Sequence, residues 1–306
     1  LILNKITDSR AMDVSDAFFK LREQIMAYNN ADNELERTGG LNLINTTNLS
    51  FFDASQKSEL FRLKAMFLSS LRRTSKSNQA YCHSVQICPS HAKAWTSWGG
   101  LCSSLGTLTE KQAEQIAVKG GNAPDNIRVR NFLHEVHSCV ACHVCLVACR
   151  PPLFCRQESK AAAAKKVAQY LAQAMGCYIE AVQIEATEKN RIHLPKCLWL
   201  LTKDGQNPGV LCQTLESRGT KVPPWVWLPW IPQLLTGLCR TEGQAIKSLL
   251  SRVVKAYPQA VYYSLRAFYL ERRDVERAKG ISASSSPHMP SVAYAEEMMS
   301  TLRHSH

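Results

Sequence analysis

Glycine and proline are sparse in this 306-residue chain, at 14 and 13. Collagen-like repeats and largely disordered chains need far more of both. Strand alternation is missing as well, which excludes an architecture built on sheets. Long apolar runs are missing with one exception, Val222 to Leu238, which holds Pro223, Pro224, Pro229 and Pro232. That stretch is short for a spanning helix and reads as a buried hairpin, so no membrane segment is expected. No signal peptide heads the chain, and its start, Leu-Ile-Leu-Asn-Lys without Met, reads as that of a fragment.

Catalytic signatures are equally scarce. The chain has no G-x-S-x-G, no H-E-x-x-H, no phosphate-cradling glycine loop and no kinase motif. Gly39-Gly40, Gly99-Gly100 and Gly120-Gly121 read as turn or packing glycines. Adjacency does not make Cys142 and His143 a nucleophile and base, because such a pair is defined by spatial geometry. Neither an enzyme nor a cofactor is expected.

Acids are few, 25 against 37 Lys and Arg, which leaves a formal charge of +12. That balance suits anionic partners. The basic residues are scattered, however, with modest groups at Leu71-Arg72-Arg73, Lys160 to Lys166 and Glu271 to Lys279. Solvated helix faces account for them better than a nucleic-acid surface does. With 45% hydrophobic and 20% charged residues, most of the chain is expected to bury a core.

Cysteine is the residue in excess, with 12 copies. Cys139, Cys142, Cys145 and Cys149 fall in the C-x2-C-x2-C-x3-C order of bacterial ferredoxins, and Cys155 follows. A two-cluster ferredoxin needs a second run, which is missing, and Arg150 stands where proline usually follows the fourth cysteine. Zinc is the other metal option, with His134, His137 and His143 nearby, but the candidates crowd into one run instead of two separated pairs. Against both stands the plain reading of a half-buried apolar segment without metal. The other seven cysteines are isolated, and reduced thiols in an intracellular protein are the simpler expectation.

What is abundant is helical periodicity. In residues 13 to 29, Val14, Ala17, Phe18, Leu21, Ile25 and Tyr28 recur at helical spacing, with Asp13 placed to cap the start. A second helix is expected from Asp32 to Ile44, interrupted at Gly39-Gly40. From Ser55 the chain nearly repeats itself: Phe61 and Trp95, and likewise Ala65 and Gly99, are about 34 residues apart, the tetratricopeptide period. Tyr81 then takes the second-helix aromatic position and Pro89 the closing one. The small residue lets paired helices approach, aromatics fill the space between them, and proline ends the second helix. Ser77 and Ser84 stand where the motif prefers Ala.

Order weakens between Gly106 and Ser159, where one short helix is expected before Gly120-Gly121. A long helix returns over 161 to 182, and HLPKCLWLL forms another with Pro195 in its first turn. Residues 222 to 270 read as three helices, Trp227 to Leu238, Glu242 to Ala256 and Pro258 to Glu271. Trp199, Trp225, Trp227 and Trp230 lie among Leu, Ile and Pro, which suits hairpin core better than nucleobase stacking. SASSSPHMPS reads as a spacer before a last weak helix, Val292 to Leu302.

The segments WLPWIPQLL and YPQAVYYSLRAFYL resemble the C-terminal part of the FAT domain of phosphatidylinositol-3-kinase-related kinases. The lead PPWVWLPW is similar to that of the superfamily's transcriptional branch, the transformation/transcription domain-associated family. TTNLSFF, ELFRLKAMFLSSL, AYCHSVQI, HAKAWTSWG and KCLWLL are similar to successive stretches of the same region. The resemblance covers roughly 13 to 104 and 168 to 275.

It implies an all-α solenoid of tetratricopeptide-like helical hairpins, with Phe61, Ala65, Tyr81, Pro89, Trp95, Gly99, Trp227, Trp230, Pro232 and Pro258 as its structural residues. It also implies a nuclear scaffold without catalysis, a component of histone acetyltransferase complexes of the SAGA and Tip60 type. Its partners would be transcription activators and complex subunits, without direct nucleic-acid binding. On this reading the organisation is 1–105 N-terminal repeats, 106–158 Cys-rich insertion or linker, 159–280 C-terminal repeats and 281–306 tail. The Cys139 to Cys155 run then lies in an insertion between two matching blocks, with metal binding as the alternative function.

Overall fold

A computed structural model describes residues 14–29, 34–118, 160–204, 209–278 and 290–303. Every regular element among them is a helix and none is a strand, so the protein is all-α. The chain divides into two compact units, Leu1–Ala163 and Ala164–His306. None of these helices is long and apolar enough to cross a membrane.

The first unit opens with α1 (Val14–Asn29), whose Ala17, Phe18, Leu21 and Ile25 form the buried stripe. Helix α2 (Glu34–Thr46) runs unbroken through Gly39-Gly40, where an interruption is expected from the sequence. The reason is contact: a Cβ added at Gly40 would sit 2.7 Å from Phe67 Cζ and 2.9 Å from Tyr28 Cβ. The glycine is helical and pressed between two neighbouring helices, and it ends nothing. Gly40→Ala is accordingly expected to destabilise this unit by about 1–3 kcal/mol through overpacking, despite the better helix propensity of Ala. Urea denaturation measures it, and a neutral or stabilising result would contradict the packing.

Helices α3 (Ala54–Ser70) and α4 (Thr74–Ile87) form an antiparallel hairpin. A capping box starts α3: Gln56 N–H donates to Asp53 Oδ1 at 2.7 Å, and Asp53 N–H to Gln56 Oε1 at 3.2 Å. It ends in a Schellman turn, Arg73 N–H to Leu68 O at 2.8 Å and Arg72 N–H to Ser69 O at 2.9 Å. Arg72 takes the left-handed position there, with φ of 56°.

The two helices meet along small residues, Ser58 and Ala65 on α3 and Ser77 and Ser84 on α4, all fully buried. Ser77 Oγ donates to Ala65 O at 2.7 Å and Ser84 Oγ to Ser58 O at 2.7 Å. Serine thus does what alanine does sterically and adds a hydrogen bond across the interface. Helix α5 (Ala92–Val118) follows as one element through Gly106.

The second unit is built on α6 (Lys160–Ile184), which buries Tyr170, Ala174, Cys177, Tyr178 and Ala181. After the short α7 (Glu188–Arg191) come α8 (Leu194–Leu201) and α9 (Val210–Thr214), the latter extended by a π turn, Leu215–Gly219. The helix expected over Trp227 to Leu238 is two pieces, a 3-10 segment Pro224–Trp230 and α10 (Ile231–Gly237). Pro229 lies inside the first piece and Pro232 in the first turn of the second, where a missing N–H is harmless. Helix α11 (Gly243–Ala256) buries Ala245, Ile246, Leu249, Leu250, Val253 and Val254 on one face. It packs on the 3-10 segment, on α12 (Pro258–Ala278) and on α13 (Pro290–Arg303). Lys247 ties α11 to α13 through Glu297 at 2.7 Å.

Candidate interaction surface

One acid in the first unit gathers four basic side chains. Glu59, on α3, is 8% exposed and Arg62, one turn on, 3%. Arg62 donates Nε to Glu59 Oε2, and its second terminal nitrogen reaches Oε1 at 2.8 Å. Arg22 of α1 lies 3.3 Å away, His91 Nε2 3.5 Å and Lys93 of α5 3.6 Å. His91 in turn shares its Nδ1 with Ser58 Oγ at 2.8 Å, which links the charged cluster to the serine seam. One carboxylate therefore connects three helices and the turn before α5. The arrangement has the character of a structural joint.

Burial pushes the Glu59 carboxyl up, but the Arg62 hydrogen bond and the charges of Arg62, Lys93 and His91 outweigh it and bring the pKa to about 2. Burial foremost also lowers His91, against the pull of Glu59. Both shifts have the same consequence. A carboxyl held below its ordinary 4.5 contributes stability that is present above that value and is lost as pH falls towards about 2. A lowered histidine contributes stability that is present above its ordinary 6.5 and lost as pH falls through its folded value. The denaturation midpoint of the first unit is therefore expected to fall between pH 4.5 and 2. Glu59→Gln should flatten that slope, and an unchanged slope in the variant would place the titration elsewhere.

The other residues singled out in the sequence fall at several distinct places. Ala65 and Tyr81 are buried in the α3–α4 hairpin, where burial raises the Tyr81 hydroxyl to about 12. Phe61 is half-exposed, with His83 at 5.8 Å between ring centroids, and faces a groove between α2, α3 and α4. Pro89 accepts a hydrogen bond at 2.8 Å from Trp95 Nε1, and Gly99 is buried one turn further along α5. Trp95 stacks on Trp98 at 5.7 Å. Trp98 is the more deeply buried of the two, and it donates to Asn78 Oδ1 at 2.7 Å. In the second unit Trp227 is fully buried, Trp230 half-buried, Pro232 exposed and Pro258 the first residue of α12. Trp199 and Trp225 stand partly in solvent beside cations, Lys203 and Arg191 respectively.

The motif cysteines Cys139, Cys142, Cys145, Cys149 and Cys155 lie outside the described residues. The seven remaining cysteines are free thiols. Among the described residues no group of three or more His, Cys, Asp and Glu is placed to share a metal ion. Sequence reasoning missed the Glu59 cluster. Its one local signal is an acid and a base three apart, Glu59 and Arg62, inside the otherwise apolar ELFRLKAMF.

The model of the FAT domain matches residues 6–199, a range that runs across the Cys-rich segment. The chain therefore belongs to the FAT-domain family. Relatives that match most of its length are transcription-associated members of that family. The TRA1 subunit of the SAGA and NuA4 acetyltransferase complexes of Saccharomyces cerevisiae is 32% identical over 255 residues, 83% of this chain and 5% of that protein. The transformation/transcription domain-associated protein of Danio rerio is 28% identical over 298 residues, 96% of this chain and 6% of its own length. The human protein of that name is 28% identical over 281 residues. This chain is thus a FAT domain of the transformation/transcription domain-associated family, and it spans about one-twentieth of the length of the relatives it matches.

Proposed function

We propose that the chain is a segment of a non-enzymatic scaffold in a nuclear histone acetyltransferase complex of the SAGA or NuA4 type. Its tetratricopeptide-like hairpins stack as part of a solenoid and present surfaces to other complex subunits and to transcription activators. The observation that carries the reading is similarity along most of the chain to a SAGA and NuA4 subunit, on an all-α framework. The α3–α4 hairpin supports it physically. Its fully buried small-residue seam is the close helix pairing that a repeat needs before it can stack on its neighbours.

The test is made on the full-length protein that contains this segment, epitope-tagged and purified from nuclear extract. Nucleosome acetyltransferase activity is expected to co-purify with it. A tagged protein recovered without that activity would overturn the reading.

A further inference from the structure

The groove that Phe61 lines carries a charge pattern that folding does not explain. It lies between α2, α3 and α4, has a volume of about 420 Å³, and is floored by Leu41, Phe61 and Leu68. Such a volume falls in the range of about 300–1,000 Å³ typical of ligand sites. Lys64, Arg73 and Lys76 line it, and no Asp or Glu does. None of the three cations pairs with a carboxylate among the described residues; Lys64 instead lies 5.8 Å from the Phe61 ring centroid.

Two of these cations stand where a helix least favours them. Arg73 is the N-cap of α4 and offers no side-chain cap, and Lys76 lies in the first turn, which holds no acid. The positive end of the helix dipole repels both, and an acid at either position would be the stabilising choice. Elsewhere in the same unit α3 shows the favourable solution, with Asp53 capping its start. A sequence that departs from its own local preference beside an apolar-floored groove marks a place where something other than folding sets the residue.

We propose that this groove seats an acidic peptide segment of a partner protein, with one bulky apolar side chain on the Leu41–Phe61–Leu68 floor and flanking carboxylates on Lys64, Arg73 and Lys76. The inference deepens the scaffold reading and rests on it, by assigning one docking site and the chemistry of its occupant. Carboxylates also complement the N-terminal end of α4, so the groove and the helix dipole select the same sign of charge. The apolar floor separates this site from a simple anion track, because it rewards an aliphatic or aromatic side chain between the acids.

The test uses the whole 306-residue chain. A fluorescein-labelled peptide that alternates Asp and Glu with Leu and Phe is titrated by fluorescence anisotropy. Lys64→Glu, Arg73→Glu and Lys76→Glu combined should weaken binding by about tenfold or more. The last two substitutions place acids at the start of α4, so folding is preserved, and circular dichroism checks it. A control with the same net charge, Lys20→Glu, Lys189→Glu and Lys221→Glu, changes exposed residues that do not line the groove and should leave affinity within about threefold. Equal loss in both variants would mean bulk attraction only and would overturn the site.

A peptide with its Leu and Phe replaced by Ser should bind about fivefold weaker or less well still. Equal binding would remove the apolar floor from the account. Duplex DNA that binds tighter than the peptide, and loses that binding in the groove variant, would overturn the peptide as occupant. None of these outcomes touches co-purification of acetyltransferase activity, so failure of the groove and failure of the scaffold reading are distinguishable.

Discussion

Replacing Glu59 with leucine is expected to cost the first unit about 3–5 kcal/mol, the loss associated with stranding one partner of a buried ion pair. The partner stranded is Arg62, only 3% exposed, whose other side-chain hydrogen bond goes to Met66 Sδ at 2.7 Å. A thioether is a weak acceptor and cannot replace a bidentate carboxylate. Arg22, His91 and Lys93 would meanwhile face one another without the anion that holds them together. Glu59→Gln keeps the shape and one acceptor oxygen, so a smaller loss is expected from it. Removing both partners, Glu59→Leu with Arg62→Leu, should recover part of the single-variant loss, because no charge is then left buried and unpaired. Hydrogen exchange of peptides from α3 and α4, read as opening free energy, measures all three. A Glu59→Leu variant within about 1 kcal/mol of the parent would mean that solvent reaches Arg62 and that the cluster is peripheral.

This joint also marks where sequence reading stops. Helices α1 and α6 are legible because their buried residues recur at helical spacing, α3 because Phe61 and Ala65 fit the 34-residue near-repeat, and α8 because Pro195 suits a first turn. All-α architecture followed from the same local patterns. Glu59 and Arg62 are neighbours on α3, but the arrival of Arg22, His91 and Lys93 is not local, since these three come from α1, the turn before α5, and α5 itself, and join the pair only when the helices pack. Gly39-Gly40 misled for a related reason. Glycine lowers helix propensity, but at Gly40 the close approach of Phe67 and Tyr28 selects the residue and the helix survives it. The helix expected over Trp227 to Leu238 is divided for a local reason: in one continuous helix Pro232 would leave an interior hydrogen bond unmade, so the chain forms a 3-10 segment and starts a new α-helix at Ile231.

Ser77 and Ser84 make a related case in the α3–α4 hairpin. Read as letters they are departures from an alanine pattern. In the structure they are small enough for the close approach, and each hydroxyl returns to a carbonyl of the opposing helix. The polar groups of Lys64, Arg73 and Lys76 fit no such pattern. Size alone could be anticipated from spacing, whereas the use of a charge depends on what the neighbouring helices bring to it.

In the second unit the largest expected effect is at Trp227. Trp227→Ala should destabilise it by about 3–5 kcal/mol, as for other fully buried aromatics truncated in a packed core. Trp227 is 0% exposed, and α11 packs its apolar face on the 3-10 segment that carries it. Its indole Nε1 is buried and has no hydrogen-bond partner among the described residues. The side chain therefore acts through volume and apolar area, which leads to a second expectation. Trp227→Phe, which removes the N–H and keeps an aromatic ring, should recover much of the loss that Ala produces. Trp225, two residues earlier, is 40% exposed with Arg191 over its ring at 5.6 Å. Trp225→Ala is expected to cost about 1 kcal/mol or less, the scale of an exposed cation–π contact. Thermal denaturation of the three variants ranks them. If Trp227→Phe proves as damaging as Trp227→Ala, the indole N–H has a role that packing does not supply. If Trp225→Ala proves the worst of the three, the core of this unit lies on the other face of the 3-10 segment.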